Sequence, residues 1–412
     1  MVLALLTMFG PISLDLYLPL LPDLARDLDA GPATAQLTMT ACLFGLALGQ
    51  LVAGPLSDRF GRRRPVVVGV SAYVVMSAVC AVAPWVEVLL VARFLQGFAG
   101  AAGIVVAQAA GRDLYAGPAL ARFYGRLGVL GGLAAIIGPV AGGQLASITD
   151  WRGVFVLLAG LGVAILVAAL VALPESLPPG RRVSGGLTTT ARNYARLLTD
   201  RRLVAVILLT GFVNAGLFAY LSGATFILQN TYGLSPQAYS LVFASTSVGF
   251  IACAYLAGRL SGRWSEARVL LVGLIMALVG SLGLLVPLVV PLPLTAVVAC
   301  LVVLVSGIGV TTPPATSLAL ADYPHLAGTT SSLLGLTRCA FGGLAAPLVG
   351  LGGAVTAATL GTVTSVVTLA AVAAFVALVR AGRVHRTPRV PSSRRPRSHS
   401  HYPSGQGTPT RD

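Results

Sequence analysis

Charge is what this sequence has least of. Only 10% of its 412 residues are charged, against about 25% in an ordinary soluble domain. Lysine is absent, and all 28 basic residues are arginine. The four histidines, His325, His385, His399 and His401, fall in expected loops or the C-terminal tail, without metal-ligand spacing. The five cysteines, Cys42, Cys80, Cys253, Cys300 and Cys339, lie inside apolar runs and show no CxxC pair. They read as small buried hydrophobes. No Gly-rich phosphate loop is present, which argues against ATP coupling, and no serine or cysteine is paired with a base. No basic segment precedes the first apolar run, so no cleavable signal peptide is expected. These absences exclude a soluble enzyme, a disordered chain and a nucleic-acid-binding module. No cofactor and no metal are expected.

Apolar side chains fill the space. They make up 56% of the chain, with 48 glycines and 25 prolines. A bilayer-spanning helix needs about 20 predominantly apolar residues. Twelve segments qualify, at about 3–24, 36–57, 66–84, 87–111, 120–147, 152–173, 203–230, 237–261, 268–287, 292–317, 327–352 and 354–380. The expected fold is all-α and integral to the membrane, two bundles of six helices at 1–173 and 203–380. Between them 174–202 reads as a polar cytoplasmic linker. The Arg-, Ser- and Pro-rich tail at 381–412 has almost nothing to bury and is expected to be disordered.

Arginine placement gives an orientation. An even number of spans puts both termini on one side. With them go the 58–65 turn, Arg112, Arg122, the linker, Arg259, Arg263, Arg268, and the tail with Arg380 just before it, 23 of the 28 arginines. The opposite loops hold Arg26 and Arg152. The positive-inside rule therefore places both termini in the cytoplasm of a multi-pass protein of the plasma (inner) membrane. The net charge of +15 serves this orientation rather than nucleic-acid binding. Arg93, Arg126 and Arg338 remain at membrane depth.

The chain also repeats itself. The stretch from Leu51, LVAGPLSDRFGRRRPVVVGV, returns 204 residues later as YLAGRLSGRWSEARVLLVGL. Gly54, Leu56, Ser57, Arg59, Arg64 and Gly69 match Gly258, Leu260, Ser261, Arg263, Arg268 and Gly273. Asp58 becomes Gly262. Parallel six-helix repeats are one signature of secondary transporters.

Asp15 is the one carboxylate clearly at membrane depth. Ionised, it would cost about 2.5–3.5 kcal/mol or more, so it should be paired, neutralised or protonatable. Arg93 falls in a similar layer of the fourth helix, and the two are expected to couple. A structural ion pair for Asp15, and a packing role for Arg93 against backbone carbonyls, are the alternatives. Gly54 and Gly61 suit a tight turn carrying Asp58, Arg59 and Arg62. Pro139 should bend the fifth helix, and Gly138, Gly142 and Gly143 should admit a close neighbour. Tyr17, Gln108, Asn214, Tyr220, Phe226 and Gln229 are candidate cavity residues by helix position, and equally candidates for packing. Arg338, near the middle of the eleventh helix, either faces the cavity and favours anionic or zwitterionic substrates, or caps carbonyls at an interface.

Together these segments resemble the major facilitator superfamily, and within it the twelve-helix drug:proton antiporters of the Bcr/CflA type. GPLSDRFGRRRP at Gly54–Pro65 is similar to the loop between helices 2 and 3. RFLQGFAGAAG at Arg93–Gly103, GPVAGG at Gly138–Gly143, LDLYLPLLPDL at Leu14–Leu24 and the segment Gly223–Phe243 resemble the motifs of helices 4, 5, 1 and 7–8. The resemblance spans residues 3 to 380. It implies a proton-coupled exporter of drugs or other small molecules, active as a monomer and associated with antibiotic resistance. It further implies proton coupling at Asp15 and Arg93, and a cluster of Asp58, Arg62 and Asp113 that latches the outward-open state. A metabolite transporter of the same fold, for amino acids or small acids, and a transport-inactive membrane sensor are the alternatives. The partners implied are a small-molecule substrate, protons and the lipid bilayer.

Overall fold

The computed structural model describes residues 2–115, 117–177, 192, 195–260, 263–321, 327–351 and 353–384. Most of the linker and the tail from residue 385 lie outside the described residues, as do Ser261 and Gly262 of the repeat. The side chains of Arg112, Arg122 and Arg126 lie outside them too. The described residues form helices and connecting turns, with no strand.

Twelve segments run along the chain. The first, α1, is broken into Val2–Thr7, Phe9–Asp15, a 3-10 turn at Leu18–Leu20, and Leu21–Asp27. Then follow α2 (Pro32–Phe60), α3 (Arg63–Ala81), α4 (Val86–Leu114), α5 (Gly117–Leu145) and α6 (Trp151–Ala172). The second half comprises α7 (Arg201–Phe226), α8 (Pro236–Leu260), α9 (Glu266–Gly283), α10 (Leu294–Ala321), α11 (Ala327–Ala345) and α12 (Ala357–Val384). Ten of these are individually long and apolar enough to cross a bilayer. The broken α1 and the 29-residue α5 complete the expected twelve.

Proline explains why α1 breaks where it does. Pro19 has no N–H to give the carbonyl of Asp15, four residues earlier, and Pro22 starts a new helix inside its first turn. Asp15 therefore sits at the end of a helical piece, next to loosened backbone. At the far end of α7 the chain widens into a π-turn over Ile227–Thr231. Such turns interrupt regular helices most often near functional sites.

Packing repeats with the sequence. A Cβ on Gly69 would lie 2.6 Å from the Ala102 methyl and 2.9 Å from the Ala99 carbonyl oxygen, so α3 lies tight on α4. On the matched Gly273 it would lie 2.7 Å from Thr311 and 2.9 Å from the Gly307 oxygen, so α9 lies tight on α10. Small residues let neighbouring helices approach where lipid supplies no hydrophobic drive between them. Large apolar side chains such as Val68, Val75, Val156, Val171, Leu241 and Val279 stay exposed. A belt of this extent needs an apolar surrounding, and every backbone group it covers is satisfied within its own helix. One hydrophobic core joins the two halves, with Leu14, Tyr17 and Leu43 from the first and Tyr220, Phe226 and Phe243 from the second.

Candidate functional site

The interior of the first half is organised around Arg93, which is 0% exposed. Its Nη1 donates to the Ser13 carbonyl at 3.1 Å and to Gln96 Oε1 at 2.7 Å. Gln96 in turn donates to Ser77. The guanidinium lies 4.5 Å from the Tyr17 ring centroid and 5.3 Å from that of Phe155. Nε and Nη2 have no acceptor among the described residues. Unpaired buried donors cost about 1–3 kcal/mol each, and desolvated cation–π contacts contribute about 2 kcal/mol each. The rings offset part of the cost of burying the charge.

Asp15 is the nearest candidate by sequence, two residues beyond Ser13. It is 7% exposed. The expected pair is not formed in this conformation: among the described residues no hydrogen bond or ion pair joins Asp15 to Arg93. Asp15 instead sits against α5, where a Cβ at Gly138 would lie 3.0 Å from its own Cβ. It is close enough to Tyr220 and Tyr239 of the second half to interact with them electrostatically. The carboxyl is thus at the seam between halves and the guanidinium is in the core of one of them.

The glycines of α5 face different neighbours. A side chain at Gly142 would overlap the Leu16 carbonyl oxygen at the break in α1. One at Gly143 would overlap Ser240 Oγ and come within 2.8 Å of the Pro236 oxygen on α8. The residues after Pro139 therefore press α5 onto α1 on one face and onto the other half on the next. Ser240 Oγ donates to the Pro139 carbonyl itself at 2.7 Å.

That bond belongs to a group at the arginine-poor end of the bundle. Thr40 Oγ1 donates to the Gly343 carbonyl at 2.7 Å, Gln229 Nε2 to Pro19 at 2.8 Å and Gln36 Nε2 to Ser222 at 3.4 Å. All four bonds cross between halves, and all use a neutral side chain and a backbone carbonyl. Toward the opposite end Leu56 and Phe60 of α2 are exposed.

At that arginine-rich end the turn between α2 and α3 forms a compact charge cluster. Gly61 has φ of 89°, a left-handed angle that L side chains avoid. It turns Arg62 back over the end of α2. Arg62 Nε donates to Asp113 Oδ2 at 2.8 Å, and Nη1 to Asp58 Oδ1 at 2.6 Å and Ser57 Oγ at 2.8 Å. Burial alone would lower the Arg62 pKa, but the hydrogen bonds to Asp113 and Asp58 and both carboxylate charges outweigh it and raise it. Gly54 meets only Val105, at 4.0 Å, so no close approach constrains it. Arg59 is exposed and lies over the Phe60 ring, outside the cluster. The whole cluster belongs to the first half.

Sequence reasoning missed Glu175. It lies just beyond α6, and its carboxylate accepts the backbone N–H of Arg62 at 2.8 Å and of Arg63 at 3.3 Å. An anion there satisfies donors at the start of α3 and complements the helix dipole. The signal was the lone acid in ALPES at 172–176, directly after a strongly apolar run. Thr40, Gln36 and Ser240 were also missed. A polar residue in a span carries no mark of which helix it will meet.

The expected cavity residues divide. Tyr17 is fully buried, hydrogen-bonded to Thr38 and stacked against Arg93. Tyr220 is buried with its hydroxyl on Thr246, and Phe226 is buried as well. These three pack rather than line an open space: Tyr17 lies against Arg93 and Phe155 within the first half, Tyr220 stacks on Phe243 in the second, and Phe226 is buried in the shared core. Gln229 latches the arginine-poor end. Gln108 is exposed on α4. Asn214 is buried and accepts Arg338 Nε at 3.2 Å, while Arg338 itself is exposed.

Comparison with known proteins agrees with this geometry. The family model described as Major Facilitator Superfamily matches residues 3–347. The chain is 34% identical over 351 residues to the uncharacterized MFS-type transporter YdgK of Bacillus subtilis, covering 85% of this chain and 87% of that one. It is 28% identical over 349 residues to the bicyclomycin resistance protein homolog of Haemophilus influenzae, covering 84% and 87%. In fold it matches the partially occluded inward-open xylose transporter XylE of Escherichia coli, with a TM-score of 0.69 at 13% identity over 92% of this chain and 96% of that one.

Proposed function

The chain belongs to the major facilitator superfamily, and on that premise we propose that it exports drugs or other small molecules from the cytoplasm in exchange for protons, by alternating access. Its likeness to antibiotic-resistance transporters supports efflux. The observation that carries the proton coupling is Asp15: an enclosed carboxyl at a helix break, on the seam between halves, with no ion-pair partner among the described residues.

An ionised carboxylate in that position is costly, so it holds a proton or finds a cation. Arg93, bonded to the Ser13 carbonyl two residues before Asp15, keeps two donors unpaired. In the proposed cycle, proton loss from Asp15 draws α1 and Arg93 together, and proton uptake separates them. A proton can shift the balance of states only if Asp15 binds it differently in each. The seam position provides that difference, since opening the closed end would expose the carboxyl to water.

The positive-inside rule makes the arginine-rich end cytoplasmic. The four cross-half bonds then form an outer gate, and the conformation is inward-facing. The Asp58–Arg62–Asp113 cluster, with Glu175, is read as the rigid element that docks on the second half when the inner end closes. The tail at 381–412 is read as a solvated anchor to anionic lipid. Deleting it should leave transport intact, and loss of transport on deletion would favour the sensor reading. The protein is expected to act as a monomer in the plasma membrane.

The test uses inverted membrane vesicles energised to an acidic interior. A panel of drugs and small acids is added and collapse of the pH gradient is followed. Substrate-dependent proton release that disappears in Asp15→Asn is the expected result. Release that survives Asp15→Asn would leave antiport standing and remove Asp15 as its proton carrier.

A further inference from the structure

Arg338 is set up differently from any other charge inside the bundle. On α11, Gly335 and Gly343 face α2, where they meet Gln50 and Phe44. Thr337 and Phe341 face α7 at Gly211. With about 100° between successive residues, Arg338 falls in the arc between these two faces that also carries Gly342 against Phe218 of α7. It is exposed there, although the helix around it is packed.

Its orientation is fixed from one side only. Asn214 Nδ2 donates to the Thr210 carbonyl at 2.8 Å, which turns Oδ1 toward Arg338. Arg338 Nε donates to that oxygen at 3.2 Å. A guanidinium has five N–H donors, and this bond uses one. No carboxylate pairs with Arg338 among the described residues, and no backbone carbonyl accepts from it there. The alternative of an arginine capping carbonyls is therefore not what the structure contains. The two terminal nitrogens remain as a planar fork, the shape that meets a carboxylate, phosphonate or sulfonate with two parallel bonds. Half-buried rings flank it. Phe341 and Phe212 meet edge to face with centroids 5.0 Å apart, and Phe218 lies against Gly342.

We propose that Arg338, positioned by Asn214, is the recognition site for a small organic anion with an apolar or aromatic body, and that such acids are the preferred cargo. This rests on the transporter reading above and narrows its substrate class. Arg93 is sealed in the first half and offers nothing to a ligand. Arg338 is then the only charge at this depth that a ligand meets among the described residues.

The test measures equilibrium binding to the purified full chain in phosphatidylcholine nanodiscs, so no anionic lipid can occupy the fork. Three probes share one ring: 2-naphthoate, 2-naphthamide and 2-naphthyltrimethylammonium. The carboxylate should bind at least about tenfold more tightly than the amide or the cation, as expected when a charge-assisted bidentate contact is gained. Arg338→Gln should abolish that preference. Arg338→Lys should keep part of it, because charge remains and the fork does not. Asn214→Asp, which places a carboxylate beside the guanidinium, should suppress it with Arg338 still present. This last variant decides the matter if Arg338→Gln fails to fold. Equal binding of carboxylate and amide to the native protein, or an undiminished preference in Arg338→Gln or Asn214→Asp, would overturn the assignment. The measurement uses no proton gradient, so anion recognition can stand where proton exchange fails, and the reverse.

Discussion

The turn after α2 and its counterpart after α8 share a sequence pattern and are held together differently. Both support a glycine that packs the next helix tightly, Gly69 in one and Gly273 in the other. Both bridge the start of that helix to the far end of its neighbour. In the first half the bridge is Arg62 to Asp113, reinforced by Asp58 and Glu175. In the second half Glu266 stands at the position matching Arg62, and it accepts a hydrogen bond from Ser317 at 2.5 Å. An ionic cluster in one turn thus contrasts with the bond to a neutral hydroxyl that the described residues of the other contain. The membrane-embedded arginines differ as well: Arg93 is buried among rings and hydrogen-bonded through Nη1, and Arg338 is exposed with its fork free. The repeat preserved packing and let electrostatics diverge. On the proposed reading, proton exchange belongs to the first half and ligand recognition to the second.

The sharpest way to break this comparison is at Arg93. Arg93→Gln should reduce proton-driven transport by at least about tenfold, because it removes the cation that a deprotonated Asp15 pairs with in the proposed cycle. Arg338→Gln should leave proton release intact for any neutral compound that is carried. Equal loss of neutral-substrate transport in both variants would erase the division between halves.

The gate comes next. Gly143→Val forces a side chain into Ser240 and the Pro236 carbonyl. It should hold the outer end open and raise labelling by an external thiol reagent of a cysteine placed at Thr40. Gly54→Val, with only Val105 near it, should not. Overpacking of this kind costs about 1–3 kcal/mol, enough to shift a two-state balance roughly tenfold or more.

The turns themselves should differ in stability. Asp113→Ala leaves a largely buried Arg62 without its main partner and should cost about 1–3 kcal/mol in thermal unfolding of the purified protein. Asp58→Ala, whose side chain is 50% exposed, should cost about 1 kcal/mol or less. Ser317→Ala in the second half should resemble Asp58→Ala. A Ser317→Ala loss as large as that of Asp113→Ala would mean the two turns are equivalent after all.

The smallest effect lies at the arginine-poor loops. The hydrogen bond from Arg152, then that from the Trp151 indole, hold the Asp27 carboxyl below the usual carboxylate range. A depressed pKa contributes stability that is present above the unfolded value, about 3.9, and lost as pH falls through the folded one. Half-exposure of Asp27 keeps this small. Asp27→Asn should lower Tm slightly at neutral pH and converge on the native protein below about pH 4, so that the acid-side fall is flatter.

Much of this molecule was legible without coordinates. Bilayer thickness and backbone hydrogen bonding allow one solution for apolar runs of this length, so the twelve helices followed from composition. The repeat, the Gly61 turn and the close packing of Gly142 and Gly143 followed from local residue chemistry, because short-range sterics decide them, whereas the Asp58–Arg62–Asp113 cluster was expected from the family resemblance alone. Tertiary structure alone decided what meets across distance. It sent Tyr17, Tyr220 and Phe226 into packing and left Arg338 open, although all four lie in apolar helices with no local mark to separate them. It paired Thr40 with Gly343 and Ser240 with Pro139, contacts whose partners are about a hundred residues or more away. And it parted Asp15 from Arg93, because the break in α1 turns the carboxyl to the seam between halves while the guanidinium stays with the rings of Tyr17 and Phe155.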